Sequence, residues 1–141
     1  PQSECKIVDF SSQSMAGNRL AQYVLDGNPR THWHTQYVPE LRKQPHHLII
    51  DLGKPRSVTG IRYLARQDGG YNGAIARFEV YVSQDGMKFE TAVATGTFQR
   101  KRSNQQHTFS EVSARFIKIV CLTEVNGGPW ASAAEIGVIG K

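Results

Sequence analysis

Cysteine occurs only twice in the 141 residues, as Cys5 and Cys121. So sparse a supply excludes a zinc knuckle or ribbon, whose thiolates come in closely spaced pairs, and a disulfide-dense scaffold. In FIKIVCL (116–122) Lys118 faces outward, so Ile117, Ile119 and Cys121 share the opposite, inward face. Cys121 therefore reads as a buried, inert thiol, with a Cys5–Cys121 disulfide the less favoured reading. Long apolar runs are missing too. None approaches the roughly 20 residues of a membrane span, and no signal peptide opens the chain. The first residue is Pro1 and not methionine, which suggests a trimmed or excised module.

Charge runs are equally scarce. The net charge of +5 favours acidic partners in general, whether nucleic acid, anionic lipid or acidic polysaccharide. The basic residues are nonetheless scattered. Only Arg100-Lys101-Arg102 forms a run, with no interleaved aromatics, and a solvated loop is preferred there over a phosphate-binding patch. Nucleic acid is not an expected partner.

Catalytic signatures are also absent. A glycosidase needs two placed carboxylates, but the acids here stand singly in turns (Asp26, Asp68, Asp85) or on an outward strand face (Glu79). No Gly-x-Ser-x-Gly elbow, Gly-rich phosphate loop or His-Glu-x-x-His helix occurs. His46-His47 precedes an apolar strand and reads as a strand entry. An enzyme is not expected.

What the chain does have is turn chemistry and short alternating runs. Segments 6–11, 46–52, 58–65, 78–83, 91–96, 105–109, 115–122 and 135–140 read as strands. QDGGYNG (67–73), QDG (84–86) and NGGP (126–129) read as turns. Only 19–25 hints at a helical turn, too short to stand alone. Eight strands without alternating helices predict one antiparallel sandwich. Such folds gather their loops at two ends, where binding usually sits. Trp33, His34, Tyr37, Arg66, Asn72 and Trp130 fit no alternating strand and fall in or beside loops.

Two stretches carry candidate chemistry. In THWHTQY (31–37), His32 and His34 point to one side of an extended chain, as zinc ligands might, but no third ligand stands near them. LDGNPRT (25–31) packs a carboxylate, an Asn, a Thr hydroxyl and several carbonyls into a tight turn, the oxygen donors that calcium takes. A plain Asp-Gly, Asn-Pro turn accounts for the same residues.

LDGNPRTHWHTQY (25–37), the segment 46–86 from HHLIIDLG to SQDG, and the segment 115–140 containing GGPWASAAE together resemble the family 32 carbohydrate-binding modules. These belong to the coagulation-factor type C, discoidin-like jelly rolls. The similarity runs over about 6–140. It implies an all-β, eight-stranded antiparallel jelly-roll sandwich, with residues 1–141 forming a single module of a larger multimodular protein. It also implies a structural calcium and a shallow sugar site at one end. By motif position, Asp26, Asn28, Thr31 and Glu135 would hold the calcium, helped by the carbonyls of Leu25 and Ala134. His34, Arg66 and Asn72 would bond sugar hydroxyls, Trp130 would stack on the ring, and Tyr37 would stand where many members carry tryptophan. Trp33 is then core, and His32 is left undecided.

The function so implied is non-catalytic, lectin-like binding of galactose-configured sugars, such as galactose or N-acetylgalactosamine. A flat indole suits the C–H face of such a ring, and His and Arg suit its axial 4-hydroxyl and neighbours. The implied setting is a monomeric module tethered to a secreted, extracellular bacterial glycoside-active enzyme. The sequence also departs from the family. Many members carry an acid near the sugar, where AGNRL (16–20) offers Gly17 or Asn18, and Cys5 replaces a common tryptophan. The missing acid and the positive charge leave an alternative, a uronic-acid or sulfated glycan. An anionic-lipid-binding discoidin domain is less favoured, since Gln67 to Gly73 offers Tyr71 and glycines in place of the Leu or Phe spikes that mode needs.

Overall fold

The computed structural model describes residues 2–140; residues 1 and 141 of the expected module lie outside the described residues. Eight strands form: β1 (Lys6–Phe10), β2 (Trp33–His34), β3 (His46–Leu64), β4 (Arg77–Ser83), β5 (Ala92–Thr97), β6 (Gln105–Cys121), β7 (Ser132–Ala133) and β8 (Glu135–Gly140). Every pairing between these strands is antiparallel. The all-β antiparallel expectation holds, though the count of eight is reached differently. Segments 46–52 and 58–65 are two halves of β3, and 105–109 and 115–122 two halves of β6. The two-residue strands β2 and β7 were not foreseen.

The merging has a physical cause. Straight, the 19 residues of β3 would run about 60 Å at roughly 3.3 Å each, too long for a chain whose radius of gyration should be about 14 Å. The strand instead folds over near Gly53, whose φ of +88° suits glycine. The β3–β6 register slips there between Asp51 and Arg56, as in a bulge. The first half of β3 pairs with β1 and the second half of β6, which in turn pairs with β4 and then β5. Its second half pairs with β8 and the first half of β6. Two layers thus arise from strands that pass from one to the other.

Between the layers lies the core, including Trp33, Leu48, Ile50, Ile61, Tyr63, Phe78, Ile117 and Ile136. Phe98 joins the layers directly. Its ring stacks on Tyr63 of β3 at 4.7 Å and on Phe78 of β4 at 4.3 Å, the offset geometry that aromatic pairs favour. The expected helical turn is a 3-10 turn, Ala21–Leu25, burying Ala21 and Val24. Ile117, Ile119 and Cys121 are buried as expected. Both cysteines are thiols, so no disulfide links them, and burial pushes the Cys121 thiol up to about 12.

Because β3 folds over, its two ends meet at one end of the sandwich. At the start of β3, Gln44 donates to the Trp130 carbonyl at 2.8 Å, and His46 Nε2 donates to the Pro129 carbonyl at 2.7 Å. At its end, Ala134 N–H donates to Leu64 O at 2.9 Å. This is the end that carries the loops of interest.

Candidate functional site

A depression of about 380 Å³ opens at that end, and all five expected sugar-site residues line it: His34, Tyr37, Arg66, Asn72 and Trp130. Gly17, Arg19 and His32 complete the wall.

The run THWHTQY builds one side by strand alternation. β2 pairs with β7, Trp33 opposite Ala133 and His34 opposite Ser132. Trp33 turns into the core, 1% exposed, and donates its indole N–H to the Ser12 carbonyl at 2.9 Å. His32 and His34 turn the other way, into the depression. His34 Nδ1 stands 2.7 Å from the Thr35 carbonyl. That nitrogen must carry the proton, which leaves Nε2 as an acceptor. Burial lowers the His34 pKa, partly opposed by the Thr35 bond, so the ring is neutral near pH 7. Tyr37, 42% exposed, packs edge-on to His34 at 5.3 Å, and Trp130 lies 6.2 Å from the same ring. Beside Tyr37 the apolar side chains of Val38 and Leu41 are also exposed.

His32 is buried at the bottom of this wall, and its Nε2 has no partner among the described residues. Burial first, then the charges of Arg66 and Arg19, push its pKa down to about 4. No cluster of three His, Cys, Asp or Glu groups suited to a metal occurs among the described residues, so the two imidazoles gain no third ligand.

Arg66 forms the opposite side. Asp68 grips it twice, through Nε and Nη2, each at 2.7 Å, and Nη1 donates to the Asn72 carbonyl at 3.0 Å. Three of the five guanidinium N–H groups are thus engaged, and two are left for a ligand. This fork holds the Asp68 carboxyl well below the usual carboxylate range. Sequence reading placed Asp68 only in a turn, yet the Arg-x-Asp spacing across that turn was a signal that it positions Arg66.

Three further residues brace the loops. Glu124, buried, accepts N–H bonds from Gly73 (2.6 Å), Asn126 (3.2 Å) and Gly128 (2.9 Å), tying the loop of Asn72 to the loop of Trp130. Gly73 admits no side chain, since a Cβ would lie 2.7 Å from Ser132 Oγ. His46 and Gln44 hold the Trp130 loop from beneath. His46-His47, read as a mere strand entry, is therefore part of the scaffold of the site. Of the stretch AGNRL, Gly17 and Arg19 reach the depression, and Asn18 makes the turn, with φ of +55°.

The second group of expected residues gathers at the 3-10 turn. Asp26 Oδ1 accepts the Asn28 N–H at 2.9 Å, and the Thr31 hydroxyl is bonded to Asp26 Oδ2. Asn28 Oδ1 accepts the Arg30 N–H at 3.0 Å. Glu135, from the start of β8, comes against Asp26. Burial first, then the hydrogen bond and charge of Asp26, push its carboxyl up to about 7. Glu135 Oε1 is buried without a partner. Leu25 closes the 3-10 turn and Ala134 immediately precedes Glu135, so both backbones flank the paired carboxyls.

The F5/8 type C domain model matches residues 8–136. A galactose oxidase of Gibberella zeae is 42% identical over 126 residues, covering 89% of this chain and 18% of that protein. A sialidase of Micromonospora viridifaciens is 34% identical over 142 residues, covering 99% of this chain and 22% of that protein. The chain thus spans about a fifth of the length of these curated relatives. Among solved structures, a Clostridium perfringens family 32 module in complex with GalNAc-beta-1,3-galactose superposes with a TM-score of 0.88 at 32% identity, covering 99% of this chain and 97% of that one. Another, from the same organism and in complex with galactose, gives 0.83 at 34% identity, covering 98% and 95%. With its antiparallel sandwich, its loop-end depression and a match across nearly its whole length, the chain belongs to the F5/8 type C family, among the family 32 carbohydrate-binding modules.

Proposed function

We propose that this module binds galactose-configured sugars without transforming them, and so holds a parent glycoside-active enzyme against its substrate. The observation that carries this reading is the convergence, in one depression, of the neutral His34 acceptor, the two spare N–H groups of Arg66 and the Trp130 ring. An axial 4-hydroxyl donates to His34 Nε2 while its oxygen and a neighbour accept from Arg66. The C–H face of the sugar rests on the indole. Two solved modules above 30% identity, with galactose or a galactose-containing disaccharide bound, support the same ligand class. Relatives named galactose oxidase and sialidase, of which this chain spans about a fifth, support its place as one tethered module; the reading includes a secreted setting and a monomeric state.

A monosaccharide has about twelve heavy atoms, and at roughly 0.3 kcal/mol each the binding free energy is about −4 kcal/mol, near millimolar. Calorimetric titration with galactose, N-acetylgalactosamine and glucose tests the reading. The first two should bind near that affinity and glucose, with its equatorial 4-hydroxyl, more weakly. Equal binding of all three would refute it.

The paired carboxyls fit a structural calcium. Asp26 and Glu135 crowd together, Glu135 Oε1 lacks a partner, and a Thr hydroxyl and backbone carbonyls stand alongside, all hard oxygen donors. Asp26, Asn28, Thr31 and Glu135 would hold the ion with the carbonyls of Leu25 and Ala134. Its contribution would be to neutralise two facing acids and join the 3-10 turn to β8.

A further inference from the structure

We propose that Arg100 and Arg102, packed on Tyr71 beside the sugar pocket, form an anion-binding ledge for the carboxylate or sulfate of a saccharide unit adjoining the pocketed sugar. The preferred ligand is then an acidic glycan. This rests on the sugar-site reading above and extends it by one unit. The Arg100-Lys101-Arg102 run lacks aromatics of its own, but the fold supplies one from another loop. The Arg100 guanidinium carbon lies 4.4 Å from the Tyr71 ring centroid and that of Arg102 lies 4.2 Å from it. The two cations therefore stand at most 4.4 + 4.2 = 8.6 Å apart.

The ledge is contiguous with the pocket. Tyr71 immediately precedes Asn72, and Arg102 Nη1 donates to the carbonyls of Arg66 at 2.8 Å and Gly70 at 3.2 Å. It is also held in place. Gln67 Nε2 donates to the Arg102 carbonyl at 3.0 Å. Buried Gln105 clamps Gln99 from both sides, accepting its N–H at 2.7 Å and donating to its carbonyl at 2.9 Å. A guanidinium lying on a ring keeps its N–H edge outward, in the geometry that takes a carboxylate or sulfate.

Among the described residues no carboxylate pairs with these charges, nor with Arg19 or Lys101. The acid of the facing loop, Asp68, is taken by Arg66, and buried Glu124 is taken by three backbone N–H groups. Two like charges held around one ring with no counter-charge are stabilised by an anion brought to them. Arg102 also staples the two loops together, whereas Arg100 has no polar partner among the described residues and is exposed. Arg100→Gln is therefore the informative variant.

Native protein and R100Q are titrated with three forms of galactobiose: neutral, with a carboxylate on the second unit, and with a sulfate there, each at low and at physiological salt. Native protein should bind at least one anionic form about tenfold more tightly than the neutral one at low salt. That margin should shrink as salt rises and vanish in R100Q, while the neutral form binds both proteins alike. Which anionic arm gains identifies the group recognised. Equal binding of all three forms by native protein overturns the ledge, as does an equal loss of all three in R100Q. If native protein binds no galactoside, the pocket reading fails and the ledge with it. Binding to anionic lipid vesicles without sugar, lost in R100Q, overturns the glycan assignment in favour of a membrane.

Discussion

Trp33 and Trp130 sit on opposite sides of one wall, the first sealed in the core and the second half-buried on the rim of the depression. Trp130→Ala should abolish measurable galactose binding and shift the melting temperature little, because the loop beneath is held by Gln44, His46 and Glu124 and not by the indole. Trp33→Ala should cost about 3–5 kcal/mol of stability by leaving a cavity. Melting curves beside calorimetry separate the two. Asp68→Asn should weaken galactose binding several-fold with little change in stability, since an amide no longer fixes both edges of the Arg66 fork; the same titration reads it. The roles of these residues were unevenly legible. Loop position and side-chain type singled out His34, Tyr37, Arg66, Asn72 and Trp130 but Trp33 with them, and only the resemblance set that core residue apart. Asp68, Gln44 and Glu124 act by bonding other residues' polar groups, and such partners are set by tertiary contact, which composition does not reveal.

At the scale of elements, alternation found every long strand but cut β3 and β6 in two. Gly53, Lys54 and Pro55 look like a turn in sequence, yet the backbone stays extended as it folds over. β2 and β7 escaped notice because two residues carry no period. His46 shows what an element's end can do. Its ring is 1% exposed, and burial lowers its pKa despite the bond to Pro129. The folded protein therefore holds it neutral, while the unfolded chain protonates near pH 6.5. Below that pH the unfolded state binds more protons, so stability present above pH 6.5 is lost as pH falls through the lower folded value. His34 acts in the same direction. Glu135, raised to about 7, opposes them, so the His46 contribution is read as a difference: between pH 7 and 5 the native melting temperature should fall relative to that of His46→Gln. A pH series of melting curves on both proteins measures it.

On the scale of the whole molecule, the proposed calcium joins residues more than a hundred positions apart. At about 100 times its dissociation constant, calcium should add roughly 2.7 kcal/mol, which is several degrees of melting temperature for a domain of this size. Chelated and calcium-loaded samples, melted side by side, check this. Glu135→Gln should remove the difference while leaving the fold intact. The fold-over of β3 has a consequence for how the module is carried. Glu4 pairs with Arg56, Lys6 lies opposite Asp51 and Gly140 lies opposite Val58, all beside the fold-over and away from the depression. The two ends of the described chain therefore stand close together, like the pin of a pivot, with the grip at the far end. A neighbour joined at either end would swing about that pin without crossing the sugar. Lengthening the joint would then widen the area of polymer swept and leave the hold on each sugar unchanged.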